Sequence, residues 1–184
     1  MPAGLPAHIV APTLKTERLT LRAHRVADFE QYCALWSDPA VTHFVLLRPS
    51  TREEVWSRLL RYAGHWALLG FGYWAVEERA TGIFVGDVGF AEYHRAFDSP
   101  FAALPDLGWV LSPTMHGKGY ATEAATAALA WAQANILTFD EVSCILHPDN
   151  TASRRVAEKV GYLYREATTY RDQPTLVFTQ PLLR

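Results

Sequence analysis

The chain has 184 residues, 49% hydrophobic and 12% aromatic, enough for one compact core and too few for two ordinary domains. Its 17 basic and 19 acidic side chains leave a formal charge of -2, which argues against a nucleic-acid or anionic-membrane partner and favours a small, locally recognised substrate. Cys33 and Cys144 lack a C-x-x-C partner and sit in apolar surroundings, so they read as buried free thiols in a reducing, cytoplasmic compartment. The opening Met1-Pro2-Ala3-Gly4-Leu5-Pro6 has neither the basic nor the apolar region of a leader, and no run approaches the ~18 apolar residues of a membrane span.

Residues 1–13 carry three prolines and no periodicity and are expected to form a loose lead-in to a single domain spanning 1–184. Leu14 to Leu21 alternates as a strand, and Asp28 opens a helix through Phe29, Tyr32, Leu35 and Trp36 that Asp38-Pro39 stops. Ser50-Thr51-Arg52-Glu53 fits a capping box, and Val55, Leu59, Leu60 and Tyr62 continue it as an apolar helical stripe to about Leu69. Tyr73 to Glu77 and Ile83 to Tyr93 are β-rich and joined by Arg79-Ala80-Thr81-Gly82, a hairpin connection; Leu104 to Leu111 continues the meander. Gly117 to about Asn135 turns Ala-rich and helical. Glu141 to Leu146 is a short strand, Asn150 to Val160 a helix ended by Gly161, and Tyr162 to Tyr170 and Thr175 to Gln180 close as strands. This order predicts an α/β (α+β) fold with a mixed sheet of about seven strands and helices on both faces.

The stretch richest in chemistry runs from Val110 through Ser112-Pro113-Thr114-Met115-His116-Gly117-Lys118-Gly119-Tyr120-Ala121-Thr122 to Ala124, a strand, a glycine-bearing loop and a helix start. Glycines let backbone N–H groups approach phosphate oxygens, and the following helix adds unpaired donors and the positive end of its dipole. A pyrophosphate is the expected ligand. A Walker A loop would need Gly at Ser112 and Ser or Thr at Gly119, and a dinucleotide fingerprint would need Gly at Thr122 after a first rather than a late strand.

What remains resembles the GNAT acyltransferase superfamily, whose coenzyme-A loop Q/R-x-x-G-x-G/A is matched by His116-Gly117-Lys118-Gly119-Tyr120-Ala121 with His in place of Gln or Arg. The form G-K-G-Y-A-T-E-A is similar to the ribosomal-protein N-terminal acetyltransferase branch. So are the strand Asp106-Leu107-Gly108-Trp109-Val110-Leu111, the run Asn150-Thr151-Ala152-Ser153 and the element Lys159-Val160-Gly161-Tyr162. The resemblance covers about Leu14 to Gln180. It implies a mostly antiparallel sheet whose Leu104 to Leu111 and Glu141 to Leu146 strands splay at the cofactor site. It also implies acetyl-CoA or another acyl-CoA as cosubstrate, no metal, and an amine acceptor, either a protein N-terminus, a lysine or a small molecule, that attacks directly in a ternary complex.

On this resemblance Trp109, Val110 and Leu111 hold the pantetheine arm and polarise the thioester, His116 to Thr122 hold the pyrophosphate, and Asn150 contacts the cofactor. Asn150 is equally a good helix N-cap, and Lys118 equally a solvated side chain. Ala157 stands where many superfamily members carry a tyrosine that protonates the departing thiolate, so Ser153 becomes the candidate acid. The same departure leaves open a non-catalytic acyl-CoA sensor.

An amine must lose its proton to attack, which calls for a base. Alternation places Asp106 on one strand face with Gly108 and Val110, and Asp106 is the first candidate. Glu92 and His94 are placed on the face of Phe84, Val88 and Phe90, where Glu92 is a second candidate base or simply a solvated strand end. Trp66, Phe71, Tyr73, Trp74 and Tyr93 read as core rather than site. An exposed strand edge would allow a homodimer.

Overall fold

A computed structural model of the chain describes residues 10–136 and 138–182. The first nine residues of the expected lead-in lie outside this range. Ala11 is already in the core and the Pro12 carbonyl accepts from Trp74 Nε1 at 2.8 Å, so packing begins earlier than Leu14.

The strands, in chain order, are β1 (Leu14–Lys15), β2 (Leu19–Arg22), β3 (Tyr73–Glu78), β4 (Phe84–Ala91), β5 (Asp106–Leu111), β6 (Glu141–Leu146), β7 (Leu163–Tyr170) and β8 (Gln173–Pro181). They form one eight-stranded sheet in the order β1-β2-β3-β4-β5-β6-β8-β7, antiparallel everywhere except between β5 and β6. The eighth strand arises because Leu14 to Leu21 is two strands rather than one. Thr16 turns the chain there, its N–H donating to the Leu19 carbonyl at 3.0 Å and its hydroxyl accepting from Leu19 N at 2.9 Å.

The helices are α1 (Phe29–Ser37), α2 (Pro39–Thr42), α3 (Arg52–Leu69), α4 (Tyr120–Asn135) and α5 (Thr151–Lys159). Asp38 does end α1, but it also caps α2, a short helix the sequence reading did not anticipate: its side chain accepts from Ala40 N. The capping box of α3 sits one residue later than predicted, on Thr51 and Glu54, because the Ser50 N–H is committed to the Trp36 carbonyl at 2.9 Å.

Two apolar clusters occupy the two faces of the sheet. One gathers Val88 and Phe90 of β4, Leu107 and Leu111 of β5, and the α4 alanines Ala124, Ala125, Ala128 and Ala132, whose small side chains let the helix lie close to the strands. The other packs Tyr32 and Trp36 of α1 and Val55 and Tyr62 of α3 against Tyr73 and Ala91. Phe84 packs with this second cluster, not with Val88 and Phe90 as alternation predicted. The cause is a bulge: Val76 pairs Gly86 but Glu77 pairs Phe84, so one extra residue in β4 reverses the faces before it.

Candidate active site

The parallel pair β5–β6 is joined by a single register pair, Asp106 with Ser143. Beyond it the strands diverge, and residues 107–111 keep β4 on one side with no β-ladder on the other. Strand pairing therefore stops where a ligand backbone could add to the free edge. A cleft of about 230 Å³ opens at this splay, and its lining includes Asp106, Trp109, Val110, Asn150 and Ser153, bringing together residues from β5 and the start of α5.

Gly108 is the position at which the cleft floor tolerates no side chain, since a Cβ there would collide with the Tyr73 hydroxyl. Tyr73 is itself fixed by stacking on Tyr62, ring centroids 4.3 Å apart and 6° from parallel. Tyr73 and Tyr93 belong to the second apolar cluster, as their reading as core expects, and also line the cleft, whereas Trp66, Phe71 and Trp74 belong to the opposite cluster. Strand alternation puts the neighbours Tyr73 and Trp74 on opposite faces, and the sheet then decides which face is the cleft.

Asp106 is buried and its Oδ2 accepts from Arg95 Nη1 at 2.9 Å. Burial pushes this carboxyl above the ordinary carboxylate range, against the opposing pull of Arg95 and of the Ile145 backbone amide. Glu92 lies beyond the end of β4, with His94 Nε2 3.4 Å away, and is not part of the cleft lining. The structure thus brings Asp106 to the cleft and leaves Glu92 outside it.

At the far wall, Asn150 Oδ1 accepts from Ser153 N at 3.0 Å and caps α5, the local role its residue type predicts. This fixes Ser153 in the first helical turn at the cleft. Ala157, one turn on, is fully buried in the core and presents no polar atom.

The glycine loop lies outside the cleft lining and leads into α4. Gly117 and Gly119 have φ of 75° and 80°, the left-handed region that other residues enter at a cost. A Cβ at Gly117 would meet nothing within 4 Å, so the loop backbone there borders open space. Gly119 is the N-cap of α4 and offers no side chain to its first amides. Open backbone, left-handed glycines and an uncapped helix start are what a pyrophosphate requires, so the residues present fit the phosphate end of coenzyme A. His116 is exposed, but its Nε2 donates to the Leu111 carbonyl at 2.9 Å and ties the loop to the end of β5. Lys118 is exposed, with Nζ 3.5 Å from Met115 Sδ. Tyr120 is buried, its hydroxyl donating to Glu78, and Ala121 and Thr122 follow it, half-buried, in the first turn of α4.

Arg18 was not singled out from sequence, yet it braces this loop. Its Nη1 donates to the Lys118 carbonyl at 2.9 Å, its Nε donates to Glu123 Oε2 at 2.7 Å, and its guanidinium lies over the Tyr120 ring. It comes from the β1–β2 turn, about a hundred residues away in the chain, a pairing that no local motif carries.

Comparison with known proteins gives one consistent answer. The family described as acetyltransferase (GNAT) domain matches residues 18–163. YkkB of Bacillus subtilis strain 168 is 30% identical over 169 residues, spanning 90% of this chain and 93% of that protein. An acetyltransferase of Agrobacterium tumefaciens C58 superposes with a TM-score of 0.79 at 29% identity, over 97% of this chain and 99% of that one. The fold extends to a spermidine N-acetyltransferase of Vibrio cholerae, solved with CoA and spermine, at a TM-score of 0.70 and 18% identity over 91% of this chain and 97% of that one. Among the described residues no helix is long and apolar enough to cross a membrane.

Proposed function

The chain belongs to the GNAT acetyltransferase family and is an N-acetyltransferase; from that premise we propose that it moves an acetyl group from acetyl-CoA to a primary amine by direct attack in a ternary complex. The observation that carries this reading is that the unpaired edge of β5 at the β5–β6 splay runs directly in the chain into the glycine loop, which His116 ties back to the Leu111 carbonyl at the end of that strand. The loop sequence further supports the ribosomal-protein N-terminal acetyltransferase branch as its relatives within the family. We read 1–184 as one catalytic domain, working in the cytoplasm.

When bound, acetyl-CoA supplies an acyl thioester that an amine can attack. Backbone groups of Trp109, Val110 and Leu111 on the free edge of β5 hold the pantetheine arm and polarise the acyl carbonyl. Gly117 to Thr122 receive the pyrophosphate, with His116 fixing the loop to β5, Arg18 holding it from behind and Asn150 at the opposite wall. Asp106 takes the proton that the amine must lose; its raised affinity for a proton suits a base at neutral pH. Ser153, held by Asn150, gives a proton to the departing thiolate. Glu92 receives no role.

Thermal unfolding with and without acetyl-CoA, with ATP and NAD as controls, tests the reading. A ligand at about 100 times its dissociation constant stabilises by ~2.7 kcal/mol, so acetyl-CoA alone should raise the midpoint. No shift at saturating acetyl-CoA would contradict it. Turnover of an amine acceptor separates the transferase from a sensor that only binds.

A further inference from the structure

We propose that the acceptor is a small amine that carries an anionic group, of the amino-acid class, and that Arg58 is the residue that recognises that group. This rests on the transferase reading of the same cleft and adds what the cleft selects.

The charge of the lining is the first observation. Asp106 is the one carboxylate among the cleft residues, and it is already paired with Arg95. Arg58 and Arg171 also line the cleft, and among the described residues no carboxylate closes an ion pair on either. The surplus is therefore cationic. None of the loop residues 116–122 contributes to this lining, so the surplus is spatially separate from the phosphate end of the cosubstrate. A polyamine or a basic peptide entering here would meet like charge without a free carboxylate to receive it.

The state of Arg58 is the second. Its Cζ lies over the Trp36 ring, 3.6 Å from the centroid, and its Nε is buried without a hydrogen-bond partner. The buried Asp87 carboxylate attracts it through space without closing an ion pair, and the guanidinium also interacts with the Tyr62 hydroxyl. A guanidinium held over an aromatic ring and not closed by any carboxylate is a pre-set fork for an anion, and its rigidity lowers the entropy lost when the anion binds. The cleft lining also has an apolar part, with Phe44 and Leu46 from the segment after α2. At about 230 Å³ the cleft is smaller than the roughly 300–1,000 Å³ of ordinary ligand pockets, which favours a compact acceptor.

The test measures product-like ligands, so it does not depend on turnover. N-acetyl derivatives of alanine, methionine and phenylalanine, and the corresponding carboxamides, are titrated by calorimetry into the full-length protein saturated with CoA. At least one free acid should bind roughly tenfold or more tightly than its amide. Arg58→Gln should abolish that difference, and Arg58→Lys should restore only part of it, while the midpoint rise with acetyl-CoA persists in both. Equal binding of acid and amide to the wild type overturns the inference, as does spermidine outcompeting every amino acid as acceptor. In either case an intact acetyl-CoA shift leaves the transferase reading standing. Absence of that shift in the wild type would overturn both. If Arg58→Gln fails to fold, the charge-conserving Arg58→Lys decides: a full wild-type acid–amide ratio in it overturns the role of Arg58.

Discussion

Asp106 and Ser143 form the one register pair between β5 and β6, and the carboxylate of Asp106 is held at that junction by Arg95 Nη1 at 2.9 Å. The residue proposed to take a proton is thus also the residue at which the sheet opens. Asp106→Asn separates these two duties, since the amide keeps the shape but cannot accept a proton. The expected result is a fall in kcat of about 10² to 10⁴ with the acetyl-CoA midpoint shift retained. Ser153→Ala should likewise lower kcat with little change in acetyl-CoA affinity, read by steady-state kinetics beside ligand titration.

Gly108 has no room for a methyl group because of the Tyr73 hydroxyl. Gly108→Ala should cost roughly 1–3 kcal/mol of stability in urea unfolding, as overpacking does. Adding Tyr73→Phe removes the obstructing oxygen and should recover part of that loss, a coupling that a double-mutant cycle measures.

Much of this site was legible in sequence because its parts are local. The spacing Gly117-Lys118-Gly119, the cap Asn150 and the alternation of β5 are each decided within a few residues, and each element stands where its pattern placed it. What was not legible depends on contacts across the chain. Arg18 meets Lys118, Arg95 meets Asp106, and Arg58 meets Trp36 only after the sheet has formed. Alternation also fails without warning at a bulge, which is why Phe84 was assigned to the wrong face. Glu92 looked like a base because it continued that alternation past the end of the strand.

In the glycine loop, Gly117→Ala adds a methyl group that has space but forces a left-handed residue, costing about 1–2 kcal/mol. Its larger effect should be on acetyl-CoA affinity, because the loop relaxes away from the strained conformation. Arg18→Ala should weaken acetyl-CoA binding without touching the ligand path, by releasing the Lys118 carbonyl. Calorimetric titration distinguishes both from a general loss of fold when unfolding midpoints are measured alongside.

Two buried groups give opposite pH dependences. Burial holds His24 down to about 3 from 6.5, so the unfolded chain alone gains a proton as pH falls below 6.5, and stability is lost on acidification. Burial pushes Asp87 up to about 7 from 3.8, so between these values the folded state alone keeps the proton, and stability is gained on acidification. From pH 6.5 to 5 the two slopes, each about 1.4 kcal/mol per pH unit, oppose one another. The wild type should change little over that window. Asp87→Asn should lose stability as pH falls through it, and His24→Phe should gain, both read from denaturant midpoints at fixed ionic strength.

The most direct test of the central claim is amide hydrogen exchange with and without saturating acetyl-CoA. Binding along the free edge of β5 and across the glycine loop predicts protection concentrated in residues 107–111 and 117–122, with the rest of the sheet unchanged. Protection elsewhere with these two segments unaffected, or no protection at all, would contradict it.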